Sequence, residues 1–289
     1  MRSPISWYGG KGNMVAKLLP FVPEHTTYVE VYGGGASLLF AKPPSKVEVY
    51  NDINHDLVNL FRIIKDPSTF ERLHMLLLLT PYSRWEWEQS KDYSSETDPV
   101  IRAYKFFMNV RESFSAAQKG WSYSIDTVRR GMSACVSKYL SIISELPDIH
   151  LRLSIVQVDC REAIPLIEAY SRPDTFFYLD PPYMTSTRVV KNVYDHEMNN
   201  DQHITLLETI IKSNSKFMLS GYSNEIYNDM LKDWNRFEFV TRCTAGLVRK
   251  NDGQQRAERT ECLWMNYDIN KDTDVKDSKE YLFNITGTT

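Results

Sequence analysis

The sequence predicts an α/β chain, with an open and mostly parallel sheet interrupted by a mostly helical insert. Three observations predict it. Short aromatic and β-branched runs alternate with helical patterns through residues 1–65. From Asp66 to about His150 the strand-like runs vanish and helical patterning dominates. Strands then return, and two of them end on an aspartate, Asp159 and Asp180. The expected division places 1–65 and 151–289 in one domain and 66–150 in a second.

The elements follow in order. Tyr28-Val29-Glu30-Val31-Tyr32 reads as a strand, stopped by Gly33-Gly34-Gly35, and Ala36 to Phe40 opens a helix. Lys46 to Tyr50 is a second strand, followed by Asn51-Asp52 and a helix to about Lys65. In the insert, Trp85, Trp87, Tyr93, Trp121 and Tyr123 lie among polar residues, and Gly120 and Gly131 bracket a loop. Strands are expected at Leu153–Val158, Phe176–Leu179 and Lys216–Ser220. Gln202 to Ser213 reads as an amphipathic helix with Ile204, Leu207, Ile210 and Ile211 on one face. Phe237 to Thr241 and Glu261 to Tyr267 suggest a closing antiparallel hairpin, and residues 268–289 a polar, frayed end.

With 289 residues, 42% hydrophobic and 25% charged, the chain has the composition of a globular protein. No apolar run reaches the ~18 residues of a membrane span. The longest patch, Met75 to Leu79, fits a buried helix. The opening Met-Arg-Ser-Pro-Ile-Ser-Trp lacks a signal-peptide core, so a cytoplasmic protein is expected. Cys135, Cys160, Cys243 and Cys262 form no CxxC pair, which argues against a zinc site and disulfides and for free thiols, three or four of them buried. Net charge is −3, yet residues 101–140 hold seven basic side chains (Arg102, Lys105, Arg111, Lys119, Arg129, Arg130, Lys138) against Glu112 and Asp126. Such a patch suits phosphates or is simply a solvated face.

Four segments at predicted strand ends carry chemistry, where open α/β sheets bind ligands. Glu30 to Ser37 is a glycine-rich strand-to-helix turn; it matches neither the dinucleotide nor the P-loop spacing. An acid before the glycines suits an ammonium-bearing ligand rather than phosphates. Asp52, in Asn51-Asp52-Ile53-Asn54, can accept from ribose hydroxyls or cap the next helix. Asp159, before Cys160, can accept from an adenine amino group or act as a cap. Asp180-Pro181-Pro182-Tyr183 is the most informative segment. Two prolines fix φ and remove two donors, so Asp180 and the Pro181 carbonyl can accept from an NH2 group while Tyr183 stacks on a flat ring.

In this order the segments resemble the Dam-type DNA adenine-N6 methyltransferases (D12 class, alpha group). Trp7-Tyr8-Gly9-Gly10-Lys11 is similar to that family's Trp-x-Gly-Gly-Lys motif, and 220–224 and 260–264 match more loosely. Val31-Tyr32 stands where the family often has Pro-Phe, and Ser6 where GATC-methylating members carry a basic residue. The resemblance implies a Rossmann-like class I methyltransferase sheet, S-adenosyl-L-methionine as cofactor with S-adenosyl-L-homocysteine as product, and double-stranded DNA as partner, with a cognate restriction endonuclease as a second candidate partner. It implies cofactor contacts from Trp7, Tyr8, Gly9, Lys11, Glu30, Tyr32, Gly33, Gly35, Ala36, Ser37, Asp52, Ile53, Asp159, Cys160 and Asp180. Asp180, Pro181, Pro182 and Tyr183 would hold the target adenine, with no membrane or metal partner.

The chemistry then expected is direct in-line attack by N6 after the base has rotated out of the duplex. Arg111, Ser113, Lys119, Trp121 and Tyr123 are the candidate groove and gap-filling contacts, the two aromatics serving equally well as core of the insert. Arg129, Arg130 and Lys138 would meet phosphates, with a second basic stretch at Arg249, Lys250, Arg256 and Arg259. Asn192 and Tyr194 would close over the adenine. Cytosine N4, or a DNA-binding module of the same fold without catalysis, are the alternatives.

Overall fold

The computed structural model describes residues 1–7, 9–114, 118, 120–184, 197–242 and 258–272. In chain order the elements are α1 (Val15–Leu18), a 3-10 turn (Leu19–Phe21), β1 (Thr27–Glu30), α2 (Ser37–Ala41), β2 (Val47–Asn51), α3 (His55–Lys65), α4 (Pro67–Leu79), α5 (Arg84–Gln89) and α6 (Pro99–Glu112). There follow β3 (Val128–Arg129), β4 (Met132–Ser133), α7 (Ala134–Ser154), β5 (Gln157–Asp159), α8 (Ala163–Tyr170), β6 (Thr175–Leu179) and α9 (Asn200–Lys212). The last are β7 (Lys216–Tyr222), α10 (Glu225–Met230), β8 (Asn235–Arg242), β9 (Glu258–Met265) and α11 (Ile269–Asp272). The architecture is mixed α/β with a seven-stranded, mostly parallel sheet. No described helix is long and apolar enough to cross a membrane.

Two compact units emerge, Met1–Val15 with Gly33–Cys160, and Ala16–Tyr32 with Arg161–Thr289. The first contains the whole of 66–150. Three of its helices begin at side-chain caps. Asn54 Oδ1 accepts the Asp56 and Leu57 N–H groups, and Asp66 and Asp98 do the same for α4 and α6, each before a proline. Leu60, Phe61, Ile64, Leu73, Phe106, Phe107, Ile142 and Leu146 supply its helical core. Strands β2 and β5 pair in parallel, with Asn51 opposite Asp159.

In the second unit β1, β6 and β7 are parallel, while β9 runs antiparallel between β7 and β8. All five β6 residues are buried, as expected for a strand covered on both faces. The expected closing hairpin is present as β8 and β9.

Several expectations need correction. Leu153 and Ser154 end α7 rather than open a strand, because Leu146, Ile149 and Leu153 recur at helical spacing on its buried face. The strand proper is only Gln157–Asp159. In α4 only Leu77 of the Met75–Leu79 run is fully buried, since the buried stripe is Phe70, Leu73 and Leu77. The buried face of α9 is His203, Leu206, Leu207 and Ile210, with Ile211 exposed. Of the described cysteines only Cys262 is buried; Cys135 and Cys160 lie at a helix start and a strand end. The 120–131 loop contains a small hairpin, β3–β4, turned at Arg130 (φ 55°) and Gly131 (φ 74°). Two successive positive φ values are what a tight two-residue hairpin turn requires.

Candidate active site

The glycine-rich turn of the first unit is packed without slack. A Cβ on Gly33 would lie 2.2 Å from Tyr50 Cε2 and 2.8 Å from the Asn51 carbonyl. Gly34 has φ +47°, and a Cβ there would meet Trp7 Cδ1 at 2.9 Å. Only glycine fits both places. Gly35 and Ala36 are buried, Ala36 in the left-handed region before α2, and Ser37 opens that helix.

Asp52 ties this turn to the next strand. Its Oδ2 accepts the Gly34 N–H at 2.7 Å and its Oδ1 the Asn54 N–H at 2.8 Å. The helix cap proper is Asn54, which separates Asp52 from the capping role the sequence left open. Ile53 between them is half-buried. Asp159 Oδ1 accepts the Cys160 N–H at 2.8 Å, and α8 has Glu162 at its N-cap position instead. Burial, then Asp52, then Asp159 raise the Cys160 thiol, so both carboxylates act on one place. Lys11 is buried and donates to the Gly9 carbonyl at 3.3 Å; Trp7 packs 6.0 Å from the Phe106 ring. Two half-exposed carboxylates at neighbouring strand ends are a suitable acceptor set for the hydroxyls and amino group of a nucleoside.

The second unit carries the remaining candidates. Glu30 ends β1 opposite Tyr178, is almost fully buried, and accepts the Tyr28 hydroxyl at 3.0 Å. Burial, followed by Tyr227 and Glu162, pushes the Tyr32 phenol well up. Beyond β6, Asp180 is half-exposed while Pro181 and Tyr183 are buried and Pro182 is half-buried. The phenols of Tyr178, Tyr183 and Tyr227 are raised first by burial and next by Asp180, which places this carboxylate among three neutral tyrosines. Tyr183 donates to Glu261 and meets the Tyr222 ring edge-on at 4.6 Å. Tyr178 shares a 3.0 Å hydrogen bond with Ser220, and Tyr227 one of 2.9 Å with His203. Tyr222 and Glu261 fall in segments the sequence marked only loosely. Tyr227 had no local signal.

The expected DNA contacts divide by exposure. Arg111, at the end of α6, donates from Nη1 to Ser6 at 3.1 Å and from Nη2 to the Lys138 carbonyl at 3.5 Å. Burial and then Arg2 push it down to about 10, so it keeps its charge at neutral pH. Ser113 is buried and holds its own loop, bonding the Val110 carbonyl and the Gln118 N–H at 3.1 Å each. Trp121 is half-buried and Tyr123 exposed. Arg129, Arg130 and Lys138 are all exposed, Arg130 lying along α7 with bonds to Ser137 and Ser141. Tyr8, Lys119, Asn192, Tyr194, Arg249, Lys250, Arg256 and Cys243, and the side chain of Arg259, lie outside the described residues.

Comparison with known proteins bears on this arrangement. The family model for D12 class N6 adenine-specific DNA methyltransferases matches residues 7–244. The chain is 25% identical to the type II methyltransferase M1.LlaDCHI of Lactococcus lactis subsp. cremoris, over 92% of this chain and 96% of that one. It is 22% identical to the modification methylase LlaI of Lactococcus lactis subsp. lactis, over 81% of this chain and 39% of that protein. With the DNA N-6-adenine-methyltransferase of Escherichia phage P1 it shares 23% identity over 79% of this chain and 31% of the other. It thus spans nearly all of the first relative and about two fifths or less of the other two.

Proposed function

This chain belongs to the D12 class N6 adenine-specific DNA methyltransferases, and from that premise we propose how its residues divide the work. The methyl donor is S-adenosyl-L-methionine, which supplies an electrophilic methyl group on a sulfonium. Asp52 receives the ribose hydroxyls and Asp159 the donor's adenine, while Gly33, Gly35, Ala36 and Ser37 let the backbone approach. Trp7, Gly9, Lys11, Glu30 and Tyr32 serve the methionine end; Glu30 and its buried neighbour Tyr28 present a carboxylate suited to an ammonium group.

Asp180 and the Pro181 carbonyl accept hydrogen bonds from the exocyclic amino group of the target adenine. This withdraws its nitrogen lone pair from the ring and aims it at the methyl. Asp180 also stabilises the positive charge that grows on nitrogen. Tyr183 stacks on the base. Positioning carries much of the acceleration. The observation that supports this reading best is the buried corner after β6, where Asp180 sits among three protonated tyrosines and Tyr183 is anchored by Glu261.

Residues 66–150 form the DNA target-recognition region. Exposed Arg129 and Lys138 meet phosphates, and Arg111 lies beside Ser6 to read a base edge. The protein works on DNA in the cytoplasm of a bacterium, its sequence of action set by this region, with a cognate restriction endonuclease as its partner, in keeping with its likeness to a modification methylase. The deciding experiment is tritiated methyl transfer to unmethylated plasmid DNA followed by nucleoside analysis. N6-methyladenine is expected from the wild type and none from a folded Asp180→Ala variant. N4-methylcytosine as the product, or turnover retained by the variant, would overturn the assignment.

A further inference from the structure

Glu112 is an ionisable group that none of the steps above employs. It closes α6 with none of its surface exposed, and no described Lys, Arg or His pairs with it. Oε2 accepts the Trp121 indole N–H at 2.9 Å, and the Ser83 backbone N–H also bonds the carboxyl. Oε1 has no partner, and neither has Asn109 Oδ1, three residues earlier on the same helix. Positions three apart share a helix face. Two buried acceptors on one face therefore lack a donor, and a charge on one of them would be uncompensated. A proton on Oε1 removes the charge and supplies a donor on that face.

The groups that act on Glu112 include no Lys, Arg or His, and the Arg84 guanidinium of α5 lies 5.1 Å from the centroid of the Trp121 ring that bonds it. Tyr82 and Ser83 approach from the loop before α5, Glu86 from α5, Tyr104 from α6 itself and Tyr139 from α7. Cys135 on α7 faces Tyr82, and Lys138 acts on Cys135 rather than on Glu112. Burial first, and Glu86 in addition, push the Glu112 carboxyl up to about 7 against the bonds from Trp121 and Ser83.

What Glu112 holds is the inner end of a stack. The Trp121 and Tyr123 rings lie 5.8 Å apart and 19° from parallel, and the Arg84 guanidinium sits 5.1 Å and 5.9 Å from their centroids. Tyr82 backs Trp121 at 5.4 Å and bonds the Ser122 carbonyl at 2.6 Å. Arg84 and Tyr123 are exposed, so the outer face of the stack is open. Flat rings topped by a guanidinium are a platform for an unstacked nucleobase.

We propose that Glu112 is a positioning residue of the DNA-reading surface: in its protonated form it donates to Asn109, fixes the Trp121 indole, and so holds the Trp121–Tyr123–Arg84 platform for a base of the DNA substrate. This rests on the reading of residues 66–150 as the target-recognition region. Loss of the proton leaves a buried charge beside Asn109 Oδ1 and loosens the platform, so the KM for DNA rises across neutrality. Arginine and lysine contacts to phosphate do not titrate there.

The test is the KM for unmethylated plasmid DNA between pH 6 and pH 8.5, from tritiated methyl transfer. The wild type is expected to rise by about fivefold or more, most of a pH unit's worth of a group titrating near neutrality. Glu112→Gln offers both an N–H toward Asn109 and a carbonyl toward Trp121, and should keep the low-pH KM throughout. Trp121→Phe, which keeps a ring but loses the indole donor, should raise the KM at every pH and leave the KM for S-adenosyl-L-methionine unchanged. A Glu112→Gln profile that tracks the wild type, or a Trp121→Phe KM equal to it, overturns the proposal while leaving methyl transfer to DNA intact. Absence of transfer by the wild type at pH 6 overturns the parent reading as well.

Discussion

Tyr183 donates its hydroxyl hydrogen to Glu261, and Glu261 stands directly opposite Tyr222 in the β7–β9 ladder. The tyrosine after the two prolines is thus held twice by one rung of the sheet, through its hydroxyl and through edge-on contact with the Tyr222 ring. The ring proposed to stack on the base, fixed in this way, needs little reordering when a base arrives. Glu261→Ala should lower kcat/KM by about tenfold, the effect of a lost hydrogen bond to a charged group. Glu261→Gln, which keeps an acceptor, should lose much less. Equal activity of the alanine variant and the wild type in methyl-transfer assays would reject the anchoring role.

Asp52 joins two turns through the Gly34 and Asn54 N–H groups, and it also faces Cys160. Asp52→Ala should weaken S-adenosyl-L-methionine binding by about tenfold or more, since a carboxylate accepting from a hydroxyl contributes ~1.5–3 kcal/mol. Calorimetric titration measures it. Asp52→Asn retains an acceptor for the backbone and separates loss of the turn from loss of the ligand contact. Unchanged affinity in both variants would leave Asp52 a purely structural residue.

A buried ionic triad holds β2 to α7 within the first unit. Glu48 accepts from Lys42 at 2.6 Å and from Arg152 at 2.5 Å and 2.9 Å, with all three residues nearly inaccessible. Burial pushes the Glu48 carboxyl up, but the hydrogen bonds from Arg152 and then Lys42 outweigh it and leave it below the ordinary range. A carboxyl lowered on folding contributes stability at pH values above its unfolded value and loses it as pH falls through its folded value. Removing the charge strands two buried cations, so Glu48→Gln should cost about 3–5 kcal/mol near neutrality. The difference from wild type should shrink on acidification, read from denaturant unfolding at several pH values. A constant difference across that range would count against the triad.

The legible parts of the sequence were those with a local cause. Asp180-Pro181-Pro182 announces a stop after an apolar strand, and Asn51-Asp52 follows a β-branched run, so both strand ends could be placed by inspection. The end of α7 could not. Leu153 to Val158 is apolar enough for a strand, and Pro147 argues against a long helix, yet α7 includes Pro147 and runs to Ser154 because its buried face continues through Ile149 and Leu153. Long-range partners were equally hidden. Glu112 and Trp121 are nine residues apart and Tyr183 and Glu261 are 78 apart, so no periodicity connects either pair. Arg111 was marked for its charge, but its bond to Ser6 spans 105 residues.

The glycine turn offers a contrast within one unit. Any side chain at Gly33 would overlap the Tyr50 ring and the Asn51 carbonyl, while nothing lies within 4 Å of a Cβ placed on Gly120. Tyr50 cannot swing aside easily, because it is fully buried, packs 4.3 Å from Phe61 and donates to the Gly34 carbonyl at 2.9 Å. Overpacking at such a place typically costs ~1–3 kcal/mol, and more where backbone must move. Gly33→Ala should therefore lower the thermal midpoint by several degrees and abolish cofactor binding, because the displaced ring pulls Gly34 and Asp52 with it. Gly120→Ala should be neutral or slightly stabilising, as it only removes freedom from the unfolded chain. Thermal unfolding of the pair, with and without S-adenosyl-L-homocysteine, measures both effects. A Gly33→Ala protein that melts with the wild type and is stabilised equally by the ligand would show that the turn is looser than its packing implies.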